Sequence, residues 1–118
     1  MKILVVEDDP NHMMLMKIIL QYYGHDSIEA FTGAEGIEKT FNSRPDIVLM
    51  NLKLPGIDGF EAARKIREVM KDIPIIAITS YSMEDVREKI NKSGFNGLIQ
   101  KPINPGTIMD EIKNFIFL

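Results

Sequence analysis

Five side chains in this 118-residue chain could do chemistry together: Glu7, Asp8, Asn51, Thr79 and Lys101. Each lies at the end of a short, largely apolar run: Ile3-Leu4-Val5-Val6, Ile47-Val48-Leu49-Met50, Ile75-Ile76-Ala77-Ile78 or Gly97-Leu98-Ile99-Gln100. Grouped carboxylates are hard oxygen donors of the kind that suit Mg²⁺, which takes one or two, keeps several waters and bridges to phosphate oxygens. The Thr79 hydroxyl and the Lys101 ammonium could bond two oxygens of a phosphoryl group, one as a neutral donor and the other as a point charge. Asn51 stands where the nucleophile of such a site would be. An amide has the size and shape of a carboxylate but no anionic oxygen to attack phosphorus. Singly the residues are ordinary, since strand-end lysines are usually solvated, Ser and Thr often cap helices, and Asp9 reads as the cap of a helix beginning at Pro10. Their shared place at the ends of different runs is what carries the reading.

For these groups to meet, the runs must be strands of one sheet with a common carboxyl edge. Short β-branched or Leu-rich runs alternate with stretches of helical period, the pattern of βαβ units around a parallel sheet. Strands are predicted near Lys2 to Val6, Asp26 to Ala30, Ile47 to Met50, Ile75 to Ile78 and Gly97 to Gln100. Helices are predicted near Pro10 to Tyr23, Ala34 to Asn42, Gly59 to Met70, Met83 to Lys92 and Pro105 to Phe117. Pro10 suits a first helical turn, Gly24 and Gly94 suit helix ends, and Ser43-Arg44-Pro45 stops the second helix. The first, third and fourth strands are nearly all apolar, as strands covered on both faces should be, whereas Asp26-Ser27-Ile28-Glu29-Ala30 alternates like an edge strand. Right-handed crossovers then favour a doubly wound α/β sheet of order 2-1-3-4-5, with ligands bound at the switch point between strands one and three. Glu7, Asp8 and Asn51 converge there.

The chain is long enough for one domain with a real core and too short for a second. A net charge of -3 removes the clustered cationic surface that a nucleic-acid backbone requires, so a direct nucleic-acid partner is not expected. The absence of cysteine excludes thiolate chemistry and a disulfide framework and suits the cytoplasm. No run approaches the roughly 18 apolar residues of a membrane span, and Phe115-Ile116-Phe117-Leu118 reads as the docked end of a helix.

Val5-Val6-Glu7-Asp8-Asp9-Pro10, Leu49-Met50-Asn51-Leu52-Lys53-Leu54-Pro55-Gly56-Ile57-Asp58-Gly59, Ile78-Thr79-Ser80 and Gln100-Lys101-Pro102-Ile103 together resemble the receiver domain of two-component response regulators, over the whole chain. The resemblance implies the flavodoxin-like (βα)5 fold and a Mg²⁺ site made by Glu7, Asp8, Asn51 and the backbone carbonyl of Lys53. It also implies Thr79 as the switch hydroxyl, Lys101 as the phosphate-binding lysine and a cis bond from Lys101 to Pro102, which X-Pro pairs can hold at modest cost. Two positions depart from the family pattern: Asn51 replaces the phosphoacceptor aspartate, and Leu98 replaces the usual inward-turning Tyr or Phe. Mg²⁺ binding should be weakened by the lost charge. The retained residues fit either a pseudo-receiver that signals without phosphate or an ordinary receiver whose acceptor has been exchanged.

The expected function is phosphorelay signalling by a single domain without an output domain, not an enzyme, with position 51 not phosphorylated. Its partners are then a histidine kinase or histidine-phosphotransfer protein and a downstream target protein, met as a monomer or weak dimer, with readout around helix four, strand five and helix five. A Mg²⁺-dependent phosphatase is the enzyme alternative, and Asn51-Leu52-Lys53 counts against it because both acidic positions of a paired-aspartate loop are non-acidic. A flavin or nucleotide binder would need a glycine-rich phosphate loop, which Gly33-Ala34-Glu35-Gly36 does not supply. On the first helix Met13, Met16, Leu20 and Tyr23 form a plausible inward stripe, leaving Met14 and Ile18 as candidates for docking a partner helix. His12 and His25 have no ligand-spaced companion and read as structural or solvated.

Overall fold

The computed structural model describes residues 1–116, so the predicted helix end at Phe117, and Leu118 with it, lie outside the described residues. Five strands and five helices alternate: β1 (Lys2–Val6), α1 (Pro10–Tyr22), β2 (Asp26–Ala30), α2 (Gly33–Ser43), β3 (Ile47–Asn51), α3 (Gly59–Val69), β4 (Ile75–Thr79), α4 (Met83–Ser93), β5 (Gly97–Gln100) and α5 (Ile108–Ile116). All strand pairs are parallel, in the order β2-β1-β3-β4-β5. The sheet is therefore doubly wound, with the alternating segment at its rim as expected.

Period-2 alternation divides the apolar strands between two cores. Leu4, Val6, Val48, Met50 and Ala77 pack with Phe60, Ala63 and Ile66 of α3 and Val86 and Ile90 of α4. Ile3, Val5, Ile47, Leu49, Ile76 and Ile78 pack with Met13, Met16, Ile19 and Leu20 of α1 and Ile108 and Ile112 of α5. Both faces of β3 and β4 are fully covered, which is why these strands read as continuous apolar runs.

Helix starts follow their caps. The Asp9 carboxylate accepts from the Asn11 and His12 backbone N–H groups, Thr32 Oγ1 from Glu35, Asp58 from Glu61 and Ser82 from Asp85. Pro105 does not open the last helix as expected. Asn104 accepts the Thr107 and Ile108 N–H groups on its carbonyl and the Gly106 N–H on its side chain, so a separate turn precedes the regular helix. Tyr23 also corrects the predicted stripe: it lies one residue past α1, is 42% exposed, and donates its hydroxyl to the Pro105 carbonyl, while Ile19 takes the buried place.

Candidate functional site

The sheet's carboxyl edge opens into a cleft of about 530 Å³ lined by Glu7, Asp8, Asn51, Lys53, Thr79 and Lys101, together with Asp9, His12 and Ser80. The five chemical positions read from the sequence are thus brought to one place. Backbone bonds set their register: Glu7 N–H donates to the Ala30 carbonyl of β2, and Lys101 N–H donates to the Thr79 carbonyl, tying the β5 exit to the β4 exit. The Lys101–Pro102 bond is cis. Gly59 starts α3 directly behind the site, where a Cβ would lie 2.3 Å from the Asn51 carbonyl oxygen. Its role is therefore close approach of a helix to the β3 end, more specific than the loop punctuation its type suggests.

Glu7 is buried and both of its carboxylate oxygens are engaged. Oε1 accepts from Lys101 Nζ at 2.8 Å, and Oε2 accepts from Asn51 Nδ2 at 3.0 Å and from the Asp9 backbone N–H at 3.1 Å. Burial alone would raise the Glu7 pKa. The bond from Lys101, the Asp9 N–H, the Lys101 charge and the contact with Asp8 outweigh it and hold the carboxyl below its ordinary value. Asn51 also gives its second N–H to Asp8 Oδ1 at 3.3 Å, so the amide bridges the acid pair. Thr79 is buried, and its hydroxyl accepts from the Tyr81 N–H at 3.1 Å. Leu98 lies away from the cleft, half-buried against the α3 and α4 core.

His12 was not legible as a site residue, yet its Nδ1 lies 3.2 Å from Lys101 Nζ and 3.6 Å from Glu7 Oε1. The available signal was its position three residues after Asp9, in the first turn of a helix whose cap belongs to the acid cluster. His25 is remote and structural, with Nδ1 2.7 Å from the Met1 amino group. Met14 and Ile18 do not reach the cleft; both are exposed on α1, and Ile18 joins Leu15, Tyr22, Tyr23 and Pro105 in an apolar cleft between α1 and the β5–α5 loop.

At position 51 the acid pair meets amide N–H donors, where a divalent cation would take an oxygen ligand. Both Asn51 N–H groups face the two acids, which turns its oxygen away from them; Lys101, Asn51 and the Asp9 N–H engage both Glu7 oxygens, and Asp8 Oδ1 takes one bond from Asn51. No buried side-chain nitrogen or oxygen among the described residues lacks a partner.

A doubly wound parallel sheet with an acid pair, an amide, a hydroxyl and a lysine at its switch point defines a signalling-type α/β domain. The chain belongs to the response regulator receiver domain family, whose model matches residues 3–113. It is 28% identical over 116 residues to the polar-differentiation response regulator DivK of Brucella anthropi, covering 97% of this chain and 94% of that protein. Among solved structures, the chemotaxis protein CheY4 of Vibrio cholerae superposes with a TM-score of 0.92 at 25% identity, covering 97% of each chain. The receiver domain of the sensor histidine kinase PA1611 from Pseudomonas aeruginosa PAO1, which has a magnesium ion coordinated in its active-site cleft, superposes with a TM-score of 0.90 at 28% identity, covering 99% of this chain and 98% of that one. The protein is accordingly a two-component signalling receiver. No helix among the described residues is long and apolar enough to cross a membrane.

Proposed function

We propose that this receiver works as a single domain that takes no phosphoryl group at position 51 and communicates by docking other proteins. The observation that carries the reading is Asn51 itself, held in the cleft with its N–H groups on Glu7 and Asp8. The amide nitrogen is a donor with a delocalised lone pair, and the oxygen is uncharged, so neither atom is a competent nucleophile toward phosphorus. Lys101 and Thr79 line the same cleft, and Leu98 carries no hydroxyl.

The docking surface is the exposed apolar side of α1. Met14, Ile18 and Tyr22, spaced four residues apart on one side of α1, are 64%, 58% and 81% exposed. A histidine kinase or histidine-phosphotransfer protein is the partner for this face, and a downstream target protein would read the surface of α4, β5 and α5.

Intact mass after incubation with a small phosphodonor and Mg²⁺ tests the proposal. The unaltered chain is expected to keep its mass while Asn51→Asp gains one phosphoryl group. A phosphoryl group on Asn51 of the unaltered chain, located by fragmentation, would overturn it.

A further inference from the structure

Three groups compete for the acid pair in any site of this type: a metal ion, a neighbouring ammonium and whatever side chain occupies position 51. Here the last two have taken it. Glu7 receives Lys101 on one oxygen and Asn51 with the Asp9 N–H on the other, and Asp8 receives the remaining Asn51 N–H. Of the two acids, Lys101 pairs within bonding distance with Glu7 alone, and at Asp8 it is the Asn51 amide dipole that meets the carboxylate. Lys101 is held in the same way, only 17% exposed, between Glu7 Oε1 and His12 Nδ1.

We propose that Asn51 acts as a built-in replacement for the cation, closing the acid pair so that this receiver holds one arrangement of its cleft whether or not Mg²⁺ is present. The inference rests on the reading of the chain as a receiver and deepens it by naming how the site is regulated: by nothing ionic. It also differs from simple loss of charge. If Asn51 only lacked a negative charge, removing its side chain would leave Mg²⁺ affinity where it was. If its N–H groups occupy the acceptors, removing them should free Asp8 and Glu7 and raise that affinity.

MgCl₂ titrations followed by backbone amide shifts separate these outcomes. In the unaltered chain the amides of Asp8, Asn51 and Lys53 are expected to move no more through the millimolar range than with NaCl of equal ionic strength. Asn51→Ala is expected to bind on the order of tenfold more tightly than the unaltered chain, the worth of one hydrogen bond to a charged group. Saturable, Mg²⁺-specific shifts in the unaltered chain, or an Asn51→Ala variant that responds no better, would overturn the proposal. The Asn51 side-chain NH₂ signals need no variant: they should stay sharp and unmoved as Mg²⁺ is added, and their displacement would count against the clamp. Failure of the receiver reading would show separately, as an Asn51→Asp variant that accepts no phosphoryl group.

Discussion

At position 51 two terms act in the same direction on stability. An aspartate would bring a third negative charge beside Glu7 and Asp8, where neighbouring like charges near a surface cost on the order of a few kcal/mol before screening. It would also remove the two N–H donors that bridge those acids. Asn51→Asp is therefore expected to lose about 1–3 kcal/mol in a metal-free buffer, with added Mg²⁺ narrowing the gap. Thermal unfolding in the presence of a chelator measures it, and equal melting temperatures would refute the argument. The position's importance was legible because it ends an apolar run beside a Pro-Gly loop. The direction of its N–H groups was not, since a sequence gives a residue's place on a strand and not the partners its side chain will find. His12 escaped for a related reason: its neighbours in the cleft, Glu7 and Lys101, come from two different strand ends.

Elements were more legible than side chains because their signals are periodic. Covered strands read as apolar runs, and helix starts read from Asp9, Thr32, Asp58 and Ser82, whose caps need only local geometry. The last helix starts later than Pro105 suggests, because a proline satisfies a helical first turn on its own while Asn104 captures the Gly106, Thr107 and Ile108 N–H groups for a turn. No periodic signal announced Arg67. From α3 its guanidinium donates to the carbonyls of Gly94, Met70 and Lys71 and to the Asn96 side chain, whose oxygen also accepts the Ile75 N–H at the start of β4. One residue thus fastens the ends of α3 and α4 to the sheet. A lysine has the charge but not the planar fork, and it can serve few of these acceptors at once. Arg67→Lys is expected to lower stability by about 1–2 kcal/mol in urea unfolding, with the exposed carbonyls turning to water. No change in the unfolding midpoint would show that the fork contributes nothing.

Over the whole molecule the strand order was legible from one contrast, the alternating second strand against the apolar others. The exposed side of α1 was legible at Met14 and Ile18, while Tyr23, apolar in pattern, comes to the surface because α1 is apolar around most of its circumference and packing decides which side is covered. A second property of the whole molecule is its response to pH. His25 sits between the end of α1 and the start of β2, and its Nδ1 accepts from the Met1 amino group. Burial first, then the charges of that amino group and Lys113, lower its pKa from the usual value of 6.5, against the opposing pull of Asp26. A histidine with a depressed folded-state pKa binds fewer protons folded than unfolded, so its linkage makes stability fall as pH drops below the unfolded value. The penalty begins near about pH 6.5 and is complete once the pH is below the folded pKa. His25→Gln keeps an acceptor for the amino group but cannot take up a proton. Urea midpoints at about pH 7.5 and about pH 5.5 should therefore fall further for the unaltered chain than for His25→Gln, all other titrating groups being shared. Equal drops in the two proteins would show that His25 keeps the same proton affinity folded and unfolded.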